Sequence, residues 1–291
     1  MLGTFVEITV SCAARDSMEA AVGEAFDAAE RVHRLMSFHE PSSDVSRLNR
    51  EAGAGVVKVD PWTFDVLDRA VDLHRHSAGI FDVTVAPVLQ AMGLLPGPQH
   101  DGAAASSHAA ITDAIELMPG CRVRFRAPDV AIDLGGIAKG FAVDRALDVL
   151  RSRGVSQGLV NAGGDLAAFG PQPYTISIRD PRDPRRLVCD VQVANEALAS
   201  SGGCPDLFEP SNAASVRVVD PRTRQPMHAI AGVTVRAPDC MTADALTKVV
   251  MIQGEACVPL LDHYRASALM VAADGAIDVT SSWQDANSLA A

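Results

Sequence analysis

Ile132-Asp133-Leu134-Gly135-Gly136-Ile137-Ala138-Lys139-Gly140-Phe141-Ala142-Val143-Asp144 is the stretch on which the fold and the chemistry of this chain turn. Val130 to Leu134 reads as a strand that ends beside an acid. Two glycines then turn the chain, and a helix from about Ile137 to Arg153 opens with a lysine in its first turn. Gly154 closes that helix in the position a C′ glycine takes. A helix N-terminus offers free N–H groups and the positive end of the peptide dipoles. Glycine lets a phosphate approach such a backbone closely, and Lys139 adds a full charge. An ordinary strand-to-helix turn has the same pattern. The segment is not a Walker loop, because no Ser or Thr follows the lysine, and it is not Gly-x-Gly-x-x-Gly.

Downstream, Val155 to Ala168 returns as a strand with a glycine-rich end, Asn161-Ala162-Gly163-Gly164-Asp165. Two such glycine turns lying side by side point more strongly to a nucleotide than either does alone. The second half is strand-rich, with runs at Tyr174 to Ile178, Leu187 to Val193, Ser215 to Val219 and Ile230 to Val235. Helices from Thr242 to Gln253 and from Glu255 to Tyr264 precede strands at Ser267 to Ala272 and Ala276 to Thr280. Upstream, Thr4 to Val10 alternates as a half-buried strand. A helix from Asp16 to Ser37 carries Val22, Phe26, Ala29, Val32, Leu35 and Met36 at helical spacing. Phe38 to Arg47 is a polar stretch, Pro61 to Ser77 a second helix, and Cys121 to Phe125 another strand. Residues 95–107, rich in Pro, Gly, Ala and Ser, read as a mobile loop. Strands and helices mix without regular alternation, which predicts an α+β fold rather than a doubly wound sheet.

Lys plus Arg number 25 and Asp plus Glu 36, a formal net charge of −11. Such a chain repels a phosphate backbone, so no nucleic-acid partner is expected. An anionic substrate therefore needs local help from N–H groups, a lysine or a metal ion. The six cysteines are scattered and form no C-x-x-C pair, which suggests neither a zinc site nor a disulfide framework. No signal peptide pattern and no apolar run of roughly 18 residues is visible, so a cytoplasmic protein without membrane insertion is expected.

Met241-Thr242-Ala243-Asp244-Ala245-Leu246-Thr247-Lys248 is a third segment of interest. On a helix, Asp244, Thr247 and Lys248 share one face. Asp and Thr oxygens are hard ligands suited to magnesium; a helix turn with a solvated acid is the plainer alternative. His33, His74 and His76 lie on helices and are assigned surface or packing roles, and His100 and His108 a solvated loop. Asp180 to Arg186 reads as an exposed turn of mixed charge.

Taken in order, these segments resemble the FAD:protein FMN transferase family (ApbE-like flavin transferases). Leu2-Gly3-Thr4, Met36-Ser37 through Asn49, Gly79-Ile80-Phe81-Asp82-Val83-Thr84-Val85-Ala86-Pro87, Asp133 to Asp144 and Asn161 to Asp165 match family elements. Ser200-Ser201-Gly202, Asp220-Pro221-Arg222-Thr223 and Ala243-Asp244 continue the series. The resemblance implies one domain over 1–291, of two interlocked α/β subdomains with largely antiparallel sheets (T-fold-like), and an FAD cleft between them. It implies transfer of FMN from FAD to a Thr or Ser hydroxyl of a target protein, with release of AMP and with Mg²⁺ on the pyrophosphate. It places Leu2, His39, Ile80, Phe81, Asp82, Asp133, Lys139 and Val218 at FAD. Gly136 through its carbonyl, Asp244 and Thr247 are placed at the metal, with Asp244 and Lys139 as the catalytic pair.

The chain departs from the family pattern at five places. Lys248 stands where Thr or Ser is usual, Arg217 where histidine is usual, His39 where an aromatic commonly stacks, and Leu2 for the opening methionine. Thr223-Arg224-Gln225-Pro226 also replaces the usual Thr-Gly-x-Pro. A lysine about 4 Å from Mg²⁺ is repelled by roughly 8 kcal/mol at an effective dielectric near 20. Either Lys248 swings away, or its ammonium replaces the metal, or its proton is lost. Three functions stay open on sequence alone: FMN transfer, FAD binding or hydrolysis without transfer, and partner binding with a vestigial nucleotide cleft.

Overall fold

The computed structural model describes residues 3–11, 15–97, 114–202, 218–227 and 229–283. Leu2, Arg217, residues 98–107 of the expected mobile loop and residues 215–217 of the expected strand Ser215 to Val219 lie outside them. In chain order the first elements are β1 (Val6–Ser11), α1 (Arg15–Met36), α2 (Asp44–Glu51), β2 (Val57–Lys58), α3 (Pro61–His76), α4 (Ala86–Ala91), β3 (Ile115–Met118) and β4 (Arg122–Phe125). Next come α5 (Ala138–Ser152), β5 (Gln157–Ala162), β6 (Asp165–Phe169), β7 (Tyr174–Asp180), β8 (Asp183–Val193) and β9 (Glu196–Gly202). The chain ends with β10 (Val219–Asp220), β11 (Gln225–Pro226), β12 (Ile230–Ala237), α6 (Cys240–Gln253), α7 (Val258–His263), β13 (Ser267–Ala272) and β14 (Ile277–Val279). The chain divides into two compact units: Met1–Ala29, Lys139–Val218 and Pro226–Ala291 form the first, Glu30–Ala138 and Val219–Gln225 the second.

The first unit is built on a seven-stranded sheet in the order β1-β5-β6-β9-β12-β13-β14. All its pairings are antiparallel. The α+β expectation holds. The expected single strand Val155 to Ala168 is instead the hairpin β5–β6, with Ala162 opposite Asp165. Gly163 and Gly164 form its two-residue loop at φ +66° and +97°. Two consecutive positive φ values are what a tight hairpin of this hand needs, and paired glycines meet them without strain.

Side chains alternate across a strand, so β6 and β9 each serve two faces. Leu166, Ala168 and Leu198 join Ile178, Val191 and Val193 of the β7–β8 hairpin and Leu269, Val271 and Trp283 in one core cluster. Ser201, of opposite parity to Leu198, meets α6 instead through Thr247. α6 is buried on almost every side, including Ala243, Asp244, Leu246, Thr247 and Val250. A helix apolar nearly all round belongs in a core. A carboxylate on such a helix must find partners within the protein.

In the second unit, α2, α3 and the antiparallel sheet β2-β4-β3 carry the core. The polar stretch Phe38 to Arg47 runs into α2, which is capped by Ser43, whose side chain accepts the Ser46 N–H. Val130 to Leu134 is not a strand. Its backbone is held by a side chain: Asn49 donates to the Ile132 carbonyl at 2.9 Å and accepts the Ile132 N–H at 2.8 Å. An amide has a donor and an acceptor side by side, so it can substitute for a neighbouring strand.

Candidate functional site

Gly140 sets the geometry of the first unit's polar centre. A Cβ there would lie 2.8 Å from Met241 Cα and against the Cys240 carbonyl. Only glycine lets α5 come this close to the start of α6. The Gly140 N–H reaches Asp244 Oδ2 at 3.1 Å. One turn later, Asp144 accepts the N–H groups of Cys240 and Met241, each at 2.8 Å. Asp239 caps the same helix through the Thr242 N–H at 2.8 Å. Asp144 and Asp239 together satisfy N–H groups that a helix start leaves unpaired. Burial, and then the Asp239 charge, push the Asp144 carboxyl up to about 7, against the two N–H bonds.

This close approach assembles two lysines and two aspartates. Lys139 pairs with Asp165 of the glycine hairpin and stands 3.6 Å from Asp244 Oδ1. Lys248 pairs with Asp244 Oδ1 and donates to its backbone carbonyl at 3.0 Å. The spacing of Asp244 and Lys248 along α6 is i,i+4, acid first, the favourable order on a helix. Asp165 also accepts the Ser200 N–H at 3.3 Å. Thr247 donates to the Asp244 carbonyl at 2.7 Å, and its hydroxyl lies 2.8 Å from Ser201 Oγ. The lysine side chains keep 29% and 20% of their exposure, whereas those of Asp165 and Asp244 keep 1% and 0%. The cluster therefore presents its lysines outward and its acids inward.

Electrostatics divides the two acids. Burial and then the Asp244 charge push Asp165 up to about 6, against Lys139 and Lys248. Burial also acts on Asp244, but Lys139 and Lys248 outweigh it and hold this carboxyl below its usual range. Burial draws Lys139 down, yet Asp244 and Asp165 more than reverse this, so its ammonium is held more firmly than usual. Asp244 is thus the acid kept ionised, between two ammonium groups.

The oxygens expected to hold magnesium do not fit a divalent ion in this arrangement. Of the Asp244 oxygens, Oδ1 is engaged by Lys248 and Oδ2 by Gly140. The Thr247 hydroxyl is committed to Asp244 and Ser201, and both side chains are fully buried. Gly136 belongs to the second unit, in the turn before α5. That turn is also less open than the sequence implies. Asp133 accepts the Gly135 N–H at 3.2 Å, and the Leu134 carbonyl accepts those of Ile137 and Ala138 at 3.1 and 2.9 Å.

The other expected FAD residues lie mostly in the second unit. Ile80 and Phe81 are buried, and the Phe81 backbone is held by Ser77 Oγ at 2.9 Å and by His74 Nδ1 at 3.0 Å. His74 is buried and also stands 3.6 Å from Asp82 Oδ2, an acid beside it that the sequence does not announce. Asp82 caps the short 3-10 turn Val83–Val85, accepting from the Thr84 N–H and hydroxyl at 2.7 Å each. Asp133 donates its N–H to the Val83 carbonyl at 2.8 Å, which sets it beside the Asp82 turn. His39 sits after α1, edge-on to Phe38 at 6.5 Å. Val218, in the first unit, is buried and accepts the Met227 N–H at 3.0 Å. Asp220-Pro221-Arg222 closes on itself, with Arg222 donating to Asp220 at 2.9 to 3.1 Å. Asp180-Pro181-Arg182 repeats the device, and its arginine bonds hold Asp180 down at about 2.

In the sequence Asp165 is only the end of a glycine turn; the structure makes it the partner of Lys139. Its signal was an acid directly after paired glycines. Ser200 and Ser201 joined the site without any spacing to announce them.

Comparison with known proteins is consistent throughout. The model of the ApbE family matches residues 2–270. A FAD:protein FMN transferase of Vibrio cholerae is 30% identical over 237 residues, covering 78% of this chain and 71% of that protein. One of Haemophilus influenzae is 30% identical over 241 residues, covering 77% and 70%. The crystal structure of the ApbE protein of Thermotoga maritima superposes with a TM-score of 0.86 at 27% identity, covering 98% of this chain and 96% of that one. Among the described residues, no helix is long and apolar enough to cross a membrane.

Proposed function

The chain belongs to the ApbE family, and from that premise we propose that it transfers FMN from FAD to a threonine or serine hydroxyl of a target protein. The hydroxyl oxygen attacks the FMN phosphorus of FAD. The bond from that phosphorus to the bridging oxygen breaks, AMP leaves with the bonding pair, and the hydroxyl proton passes to solvent or a base. This chemistry asks chiefly for position and for charge compensation on the diphosphate.

The observation that carries the reading is the Lys139–Asp165–Asp244–Lys248 cluster. In it Lys139 is anchored by buried acids and its charge is held beyond the ordinary range. A preorganised ammonium costs no reorganisation when charge builds up on the leaving phosphate. The family resemblance adds Mg²⁺, a Lewis acid for such phosphates when bound. The Asp244 and Thr247 oxygens are already engaged within the chain here. The free thiols Cys121, Cys189, Cys240 and Cys257 suit a reducing, cytoplasmic setting.

The test is incubation with FAD and a co-expressed candidate acceptor, read by intact mass. The acceptor is expected to gain one FMN, and Asp244→Ala to abolish the gain. AMP and free FMN appearing while every acceptor tested stays unmodified would show a hydrolase instead.

A further inference from the structure

We propose that the Lys248 ammonium takes the place of the divalent cation, so that this chain handles a diphosphate with two lysines and no metal ion. The inference rests on the FMN-transfer reading for its substrate, but its own basis is the arrangement around Asp244.

A carboxylate holds magnesium through an oxygen it can turn toward the ion. Both Asp244 oxygens are already turned to groups of the chain itself: Lys248 holds Oδ1, the Gly140 N–H holds Oδ2, and Lys139 stands 3.6 Å from the first. The second expected oxygen, on Thr247, is buried between the Asp244 carbonyl and Ser201. Two ammonium groups and two carboxylates already balance. A divalent ion would bring two further positive charges beside Lys139 and Lys248, with no added protein anion to offset them.

The lysines are placed to do the ion's work. An ammonium has three N–H donors. Lys248 spends donors on the Asp244 carboxylate and on its carbonyl, which leaves one for an incoming oxygen. Both lysines keep partial exposure while the acids behind them are closed off. Lysine meets phosphate as a point charge, and here two lysines face outward while the acids that neutralise them lie buried behind. Of the three courses open to Lys248 on sequence alone, the geometry favours the one in which it stays on Asp244.

Two measurements on the full, metal-stripped chain decide the matter. The first is Mn²⁺ binding by electron paramagnetic resonance with FAD present. The second is AMP release from FAD, with the candidate acceptor supplied, in EDTA against release in excess Mg²⁺. Wild type is expected to bind no more Mn²⁺ than free FAD does, and to turn over in EDTA within twofold of its rate in Mg²⁺. Lys248→Thr, which restores the usual family residue, is expected to bind Mn²⁺ at least tenfold more tightly than wild type. Its turnover should fail in EDTA and return with Mg²⁺. Tight Mn²⁺ binding by wild type, or loss of its turnover in EDTA with rescue by Mg²⁺, overturns the proposal. If neither protein turns over FAD under any condition, the FMN-transfer reading fails, and Mn²⁺ binding still decides: a gain in Lys248→Thr upholds the replacement and equal binding by both refutes it. Should Lys248→Thr not fold, the wild-type measurements decide alone.

Discussion

Gly140→Ala opposes two effects of opposite sign. In an exposed helix the change is stabilising by up to about 1 kcal/mol, because alanine loses less backbone freedom on folding. Here the new Cβ meets backbone rather than the end of a flexible side chain, 2.8 Å from Met241 Cα and against the Cys240 carbonyl. That first turn of α6 is pinned by Asp144 and Asp239, so it cannot simply yield. Overpacking of this kind costs about 1–3 kcal/mol. Parting the helices also strains the Gly140 N–H bond to Asp244, and a hydrogen bond to a charged group is worth about 1.5–3 kcal/mol. The losses exceed the propensity gain, and a net destabilisation of about 2–4 kcal/mol is expected. Urea unfolding of the full chain measures it through the shift in midpoint. Gly23→Ala is the control: Gly23 is exposed on α1 and an added Cβ meets nothing within 4 Å, so this variant should gain several tenths of a kcal/mol. A Gly140→Ala midpoint at or above wild type would refute the close approach and the cluster built on it.

Asp244→Ala leaves two ammonium groups facing Asp165 alone and should cost about 3–5 kcal/mol in urea; a loss under 1 kcal/mol would mean the cluster is not closed as described. Asn49→Ala removes both clamps on Ile132 and should cost about 1–3 kcal/mol. Hydrogen exchange at the Ile132 amide should accelerate with it, and unchanged protection would count against the clamp. Asp144 gives a pH test. Its carboxyl is raised in the folded state to about 7 by burial and by Asp239. The folded state therefore holds this proton more tightly than the unfolded chain. The contribution is full below the ordinary carboxylate range and is lost as pH rises through about 7. Stability should fall between about pH 4 and pH 7, and Asp144→Asn should flatten that slope; an identical slope in the variant would reject the assignment.

Where the sequence was read well, local chemistry alone decided the outcome. α3 was legible because its apolar spacing is regular and Asp60 and Pro61 mark its start. β13 was legible because Ser267 to Ala272 is a short apolar run with clear ends. Val130 to Leu134 misled because its partner is a single amide distant in sequence, and no pattern within the segment reveals Asn49. The β5–β6 hairpin reads as one strand in the sequence because its loop is only Gly163 and Gly164, between residues of strand character on both sides. The same limit applies to the site. Asp244, Thr247 and Lys248 shared a face by helical spacing, so their grouping was visible. That Asp165 would complete the group depends on the hairpin meeting α5, which only the folded chain shows.

Placing four charges around a core helix is poor design for stability alone. Buried ion pairs seldom repay their desolvation, and well-packed apolar residues in their place are often as stable or more so. α6 is apolar almost everywhere else, and Leu246, Val249 and Val250 show what its environment otherwise accepts. The cluster draws on α5, α6 and the glycine hairpin, so each element constrains the other two. Gly140 accepts the entropic cost of glycine within a helix to bring them together. Such an outlay points to a job for the charges beyond folding, and the outward lysines say what kind of job. An acid at the position of Lys248 would have drawn in metal, and a neutral residue would have left Asp244 to find a cation elsewhere. The proposed role of Lys248 supplies the cation from the chain itself, and on that proposal the departure from the family pattern is part of the site's chemistry.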